Sequence, residues 1–110
     1  MQKVHVEKIG GEVIKDTSEY LLTDNPFGEH LTLSSTQLRA NQSTSGHLHY
    51  NQEEVYYFHK GIGEMQIDDE RFPVEAGDIV CINMGEFHRV FNTGVFGLYF
   101  ICVFEGGRNH

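Results

Sequence analysis

Two stretches decide the fold: residues 41–61 read NQSTSGHLHYNQEEVYYFHKG, and residues 77–92 read GDIVCINMGEFHRVFN. In the first stretch His47 and His49 lie two residues apart in an extended run, so alternation along a strand places both imidazoles on one face. Glu54 begins the next apolar run and can return a carboxylate to the same point, and His88 comes from a later strand. Three imidazoles and one carboxylate form a borderline-soft donor set that suits Mn, Fe, Co, Ni, Cu or Zn.

Glycines recur along the chain and separate short runs that are rich in Val, Ile, Phe and Tyr. This spacing predicts an all-β sandwich or barrel, and no segment has the apolar period of a helix. Pro73 inside a run predicts an edge strand or a bulge. Residues 16–30 have no clear period and are expected to cross one mouth of the barrel. The predicted strands are Val4–Ile9, Leu31–Arg39, Gly46–Tyr50, Glu54–His59, Glu64–Asp68, Arg71–Glu75, Asp78–Ile82, Phe87–Phe91 and Val95–Phe104.

Both stretches resemble the sequence motifs of the cupin family. The first matches motif 1 through Asn41-x5-His47-x-His49-x4-Glu54-x6-Gly61, and the second matches motif 2 through Gly77-x5-Asn83-x-Gly85-x2-His88-x3-Asn92. The chain resembles the small single-domain members, the RmlC-like barrels. The resemblance implies an all-β cupin-type double-stranded β-helix, or jelly-roll barrel, that forms one domain over residues 1–110. Motif 1 then covers residues 41–61 and motif 2 covers residues 77–92.

Carried over residue by residue, the resemblance implies four ligands for one divalent transition metal ion: His47, His49, Glu54 and His88. Glu53 competes with Glu54 for the carboxylate position, and the six-residue gap to Gly61 favours Glu54. Two turn positions depart from the family pattern, because Asn41 stands where motif 1 usually has Gly and Asn83 stands where motif 2 usually has Pro. Asn tolerates unusual backbone angles in turns, so these departures concern loop shape and leave the ligands in place.

Three further residues are candidates for the chemistry. Alternation from Glu54 places Tyr56 on the metal face, where its phenol could act as an acid, a base or a hydrogen-bond donor. An aromatic ring that fills the barrel is an equally good interpretation of Tyr56. Arg39 and Arg89 are the basic residues nearest the site in sequence and could bind a substrate anion, with a solvated surface position as the default for each. The aromatic residues predicted for the core are Phe87, Phe91, Phe96, Phe100 and Phe104.

The charge of the chain limits its partners. With 8 basic and 16 acidic residues the net charge is −8, which disfavours nucleic acid and anionic membrane surfaces and leaves a small molecule as the expected partner. The start of the chain has no apolar run of the kind found in secretory signals. Cys81 and Cys102 each lie in an apolar stretch and are predicted to be buried free thiols, which indicates a cytoplasmic location.

Four protein ligands leave two positions around a six-coordinate metal for water, dioxygen or a chelating substrate. The resemblance therefore favours a metal-dependent enzyme of the isomerase, epimerase or lyase type, acting on a sugar, a sugar phosphate or a small carboxylic acid. A dioxygenase and a non-catalytic small-ligand-binding cupin are the alternatives. A homodimer is also predicted, because small barrels have edge strands to cover, and Val4–Ile9 is the strand expected to pair across it.

Overall fold

The computed structural model describes residues 1–108, and in this range the chain forms ten β-strands and no helix. The described residues thus include no helix that is long and apolar enough to cross a membrane. All strand pairs are antiparallel. The strands are β1 (Glu12–Asp16), β2 (Tyr20–Phe27), β3 (Leu31–Leu38), β4 (His47–Leu48), β5 (Glu54–Lys60), β6 (Ile62–Ile67), β7 (Glu70–Glu75), β8 (Ile79–Ile82), β9 (Phe87–Phe91) and β10 (Leu98–Glu105).

The strands form two sheets that share one core. The larger sheet has the order β1-β2-β3-β10-β5-β8, and the smaller sheet has the order β4-β9-β6-β7. Phe58 and Phe100 of the larger sheet pack in one buried cluster with Met65 and Val90 of the smaller sheet. Burying these large side chains between two sheets is the main favourable term in folding. This architecture confirms the predicted double-stranded β-helix.

The start of the chain differs from the prediction. Residues 4–9 form no strand, so the prediction of a strand at Val4–Ile9 is wrong. Ile9 is nevertheless buried, and the Tyr99 hydroxyl donates a hydrogen bond to the Val6 carbonyl. The apolar residues of this segment therefore pack against the barrel without joining a ladder, since β10 already has β3 and β5 as neighbours.

Residues 16–30 also differ from the prediction, because they hold the end of β1 and all of β2. Tyr20, Leu22 and Asp24 alternate inwards along β2 and are all buried. The sequence hides this alternation, because one of its inward positions is a carboxylate, Asp24, and because Pro26 interrupts the run of strand-forming residues.

Two predictions of burial are wrong and one prediction about an edge is confirmed. Cys81 is a free thiol as expected, but it is exposed because it lies on β8, an edge strand, on the opposite face from buried Ile82. Phe96 is 81% exposed because it precedes β10 in a loop, whereas Phe100 and Phe104 are buried and Phe87 and Phe91 are half-buried. Pro73 lies on β7, which is an edge strand as predicted.

The two asparagines that depart from the family pattern suit their turns. Asn41 has a φ of 62°, a left-handed conformation that Asn tolerates better than most residues with a side chain. The backbone N–H of Asn83 donates a hydrogen bond to the Glu86 carboxylate at 2.7 Å, which a proline could not do. Both turns therefore form with asparagine, as predicted.

Gly61, the last residue of motif 1, is required by both its conformation and its surroundings. Its φ is 96°, and a Cβ at this position would lie 2.7 Å from the Gly97 carbonyl oxygen. We expect Gly61→Ala to lower the free energy of unfolding by about 2 kcal/mol or more, because the strain falls on backbone that cannot move aside. Urea denaturation followed by circular dichroism measures the change.

Gly97→Ala is the matched control for this change. A Cβ at Gly97 would meet only the Leu38 carbonyl oxygen, at an ordinary contact distance of 3.8 Å. Its effect on the free energy of unfolding should stay within about 0.5 kcal/mol. Equal effects of the two substitutions would contradict the role assigned to Gly61.

Candidate metal centre

Three buried side chains from different parts of the barrel converge between the two sheets. Glu54 is the first residue of β5 in the larger sheet, His88 lies on β9 in the smaller sheet, and His49 follows β4. Alternation along β5 turns Glu54, Tyr56 and Phe58 inwards, as their burial confirms. The Gly85 amide donates a hydrogen bond to the His49 carbonyl at 2.6 Å, which ties His49 to the turn before β9.

The potential ligand atoms of His49, Glu54 and His88 all lie within 4.8 Å of one another. His49 Nε2 is 3.0 Å from Glu54 Oε1, and His88 Nε2 is 3.8 Å from the same oxygen. The three side chains are at most 8% exposed. Two imidazole nitrogens and one carboxylate oxygen therefore face a common point that is shielded from solvent.

His47 lies beside this cluster and is half-buried. Its ring stacks on that of His49, with the centroids 6.1 Å apart and the planes inclined by 17°, and its centroid is 6.2 Å from that of His88. In the ladder between β4 and β9, His47 is the register partner of His88. The three predicted histidines thus share one region of the barrel, with His47 on its more open side.

Burial controls the protonation of the cluster. Desolvation raises the pKa of the Glu54 carboxyl to about 7, a shift that nearby Arg108 opposes and Asp24 reinforces. Desolvation also lowers the pKa of His88. The pKa of His47 is lowered to about 4, mainly by desolvation and further by the nearby imidazoles of His88 and His49. The imidazoles of His47 and His88 are therefore neutral at neutral pH, which is the form that binds metals.

A hydrogen bond orients the His88 ring. Nδ1 of His88 lies 3.3 Å from the Glu86 carbonyl oxygen, and when this nitrogen carries the proton it donates to that oxygen. Nε2 then keeps its lone pair on the side of Glu54. Ligating histidines usually hold their second nitrogen in this way, which fixes both the tautomer and the ring orientation.

The cluster fits a divalent transition metal. Its donors are two histidine nitrogens and one carboxylate oxygen, a combination that Mn, Fe, Co, Ni, Cu and Zn accept in proteins. Burying a carboxylate is costly unless a cation compensates for its charge, and the raised pKa of Glu54 expresses that cost. A bound cation would remove the cost, so the residues present suit a metal both by ligand type and by charge.

A small cavity of about 30 Å³ opens beside the cluster. Tyr56 is buried and lines this cavity, with its ring 5.8 Å from that of His88 and stacked on Phe100. Burial raises the pKa of Tyr56 well above its ordinary value, and the nearby Cys102 thiol makes a smaller contribution in the same direction. The other residues that line the cavity are Tyr20, Leu22, Ser34, Thr36, Thr44, His47, Glu54, Cys102 and Arg108.

Neither arginine that was a candidate for anion binding lines this cavity in the described part of the chain. Arg39 is exposed. Arg89 follows His88 on β9 and points to the other side of the sheet, where it donates hydrogen bonds to the Thr44 carbonyl and the Ser43 hydroxyl, both at 2.8 Å. A guanidinium does line the cavity, but it belongs to Arg108.

Sequence reasoning missed Arg108 and its partner Asp24. The two form a pair of parallel hydrogen bonds of 2.8 Å between guanidinium and carboxylate. Asp24 could have been found from its alternation with Tyr20 and Leu22, which places it inside the barrel. Arg108 has no local signal, because it reaches the cavity only through the long-range pairing of β10, β3 and β2.

Comparison with known proteins identifies the family of the chain. The family model described as "Cupin domain" matches residues 35–104. An uncharacterized protein of Methanocaldococcus jannaschii is 33% identical over 103 residues, which are 91% of this chain and 82% of the relative. The oxalate-binding protein of Thermotoga maritima is 33% identical over 67 residues, which are 61% of this chain and 55% of that protein.

A solved structure shares the whole fold. It is that of an uncharacterized conserved protein with a double-stranded β-helix domain from Klebsiella pneumoniae, and it superposes with a TM-score of 0.83. The match covers 100% of this chain and 94% of that one at 17% identity. The similarity therefore concerns the architecture, and it extends to the strands at both ends of the described chain.

Proposed function

The chain belongs to the cupin domain family, and from this premise we propose that it is a metal-dependent enzyme acting on a small carboxylic acid. The observation that carries the proposal is the buried convergence of His49, Glu54 and His88, whose ligand atoms lie within 4.8 Å of one another. A buried carboxylate facing two imidazoles is costly without a cation and favourable with one.

The proposed ligand set is the one predicted from the motifs: His47, His49, Glu54 and His88. His47 is included because it stacks on His49 and lines the same cavity as Glu54 and His88. The proposed cofactor is one divalent transition metal ion, with Mn, Fe, Co, Ni, Cu and Zn all compatible with these donors.

When bound, such an ion supplies Lewis-acid chemistry by withdrawing electron density from a substrate oxygen. The side chains around it do the rest of the work. Tyr56 lines the cavity and is the proposed catalytic residue, as an acid, a base or a hydrogen-bond donor to the substrate. The Phe100 ring stacked on Tyr56 holds the phenol in place and keeps water from that side. These roles suit a lyase or an isomerase.

The size of the cavity favours one of the three substrate classes considered. With about 30 Å³ of space, the site can take a carboxylic acid of a few heavy atoms more readily than a sugar or a sugar phosphate. The oxalate-binding relative supports the same class, because its name refers to a two-carbon acid. That name also favours a second function, in which the barrel binds a small carboxylate without turning it over.

The first test is the metal content of the protein. We expect purified wild-type protein to carry about one transition-metal ion per chain, measured by inductively coupled plasma mass spectrometry. Protein stripped with a chelator should regain one equivalent when Mn, Fe, Ni or Zn is supplied, because the donors are already gathered. Wild-type protein that stays free of metal after all four incubations would refute the proposed cofactor.

Four further expectations stay predictions: a homodimer, a cytoplasmic location, a single domain over residues 1–110, and a lack of nucleic-acid or membrane partners. Residues 4–9, the segment predicted to pair across the dimer, form no strand within the single chain. The exposed edge strand β8 is one candidate for pairing.

A further inference from the structure

We propose that Arg108 is a specificity residue, which binds the second carboxylate of a short dicarboxylate in the cavity beside His49, Glu54 and His88. The inference rests on the proposed function, in which a metal at these residues holds the first carboxylate. The substrate class is a two-carbon dicarboxylate, and Arg108 is the residue that distinguishes it from a monocarboxylate.

The position of Arg108 is a property of this chain and not of the family motifs. It follows β10 and lies beyond residues 35–104, the range that the family model matches. Its side chain nevertheless lines the same cavity as Glu54, Tyr56 and His88. Among the residues that line this cavity in the described chain, Arg108 is the permanent cation.

The guanidinium of Arg108 is held rigidly. Nε and Nη2 donate to the two carboxylate oxygens of Asp24 at 2.8 Å, and Nη2 also donates to the Ser34 hydroxyl at 3.0 Å. Asp24 and Ser34 are both buried, and the Arg108 side chain is 17% exposed. The preceding residue is anchored as well, because Gln52 donates a hydrogen bond to the Gly107 carbonyl at 2.8 Å. A group that is already immobilised loses little entropy when it binds a ligand.

The contacts of Arg108 leave it able to bind a carboxylate. Asp24 and Ser34 engage Nε and Nη2, while Nη1 carries two further N–H donors. A planar guanidinium recognises a carboxylate by charge-assisted hydrogen bonds, which are about twice as strong as neutral ones. Because the cavity has only about 30 Å³ of space, a ligand that reaches both the metal ligands and Arg108 must be short.

The test compares the binding of oxalate with that of glycolate, which has the same carbon number but only one carboxylate. Titration calorimetry on Mn-loaded protein gives both dissociation constants. Removing Arg108 alone would leave Asp24 as an unpaired buried charge, so the informative pair is Asp24→Asn and the double variant Asp24→Asn/Arg108→Gln. Circular dichroism and the Mn content establish that both variants are folded and loaded.

We expect the dissociation constant of oxalate to rise at least about tenfold from Asp24→Asn to the double variant, and that of glycolate to change less than about threefold. Arg71→Gln is the matched control, since Arg71 also pairs with a carboxylate, that of Glu64, but on the exposed surface. It should bind oxalate as the wild type does.

Two results would overturn the assignment: unchanged oxalate affinity in the double variant, or equal losses for oxalate and glycolate. Either would make Arg108 a structural partner of Asp24 and leave the metal centre standing. If the wild type takes up no Mn, the metal proposal fails instead. The same titrations on metal-free protein then decide the role of Arg108, again by whether the double variant loses oxalate affinity selectively.

Discussion

The His88→Ala variant is expected to lose its bound metal and any activity that depends on it. His88 supplies one of the three converging donors, and the Glu86 carbonyl orients its ring. Because the variant lacks one of the four proposed ligands and the three that remain bind a transition metal more weakly, the metal affinity should fall by at least about a hundredfold. Competition with a chelating indicator measures the affinity, and elemental analysis gives the metal retained after dialysis.

The controls for His88→Ala separate loss of a ligand from loss of the fold. His88 is 2% exposed, so the alanine leaves a cavity, whereas His88→Gln retains most of the volume and should lose the metal as well. His30→Ala removes an imidazole that is 79% exposed and should bind metal as the wild type does. Full metal occupancy in folded His88→Gln would contradict the ligand assignment.

The central part of the fold could be predicted because its signals are local. β5 and β9 begin at the predicted residues, since each is a short apolar run with glycine-containing turns before or after it. The inward face of β5 followed from alternation alone once Glu54 was chosen over Glu53. The strand predictions fail in the first thirty residues, where the pattern is ambiguous. The apolar side chains of the segment 4–9 pack against the barrel although the segment forms no strand, and β2 carries a carboxylate at one of its inward positions.

The candidate site likewise has residues that the sequence predicts and residues that it does not predict. His49, Glu54 and His88 belong to motifs with fixed spacing, and the barrel brings them to one point. Arg108 and Asp24 are 84 residues apart, and their contact depends on the registers of β10 with β3 and of β3 with β2. No window of the sequence contains that information. Nearness in sequence pointed instead to Arg39 and Arg89, neither of which lines the cavity.

The Tyr56→Phe variant should retain its metal and its fold but turn over substrate at least about a hundredfold more slowly. Only the hydroxyl is removed, and the phenyl ring can keep its stacking on Phe100 and its contact with the His88 ring. A positioned proton-transfer group is usually worth a factor of about a hundred or more in rate. Removing the buried hydroxyl should cost about 1 kcal/mol of stability, which a barrel of this size tolerates.

Tyr57→Phe is the matched control, because Tyr57 is the next residue on β5 and points to the opposite face, where its hydroxyl lies 3.4 Å from His59 Nδ1. Turnover is measured on a panel of small carboxylic acids that starts with oxalate, and oxalate binding to each variant is measured by calorimetry. A slower kcat in Tyr56→Phe with unchanged oxalate affinity would establish a role in the chemical step. Loss of metal would mean that the phenol supports the ligands. Full activity would make Tyr56 a packing residue, and the absence of turnover in the wild type together with tight oxalate binding would favour the non-catalytic function.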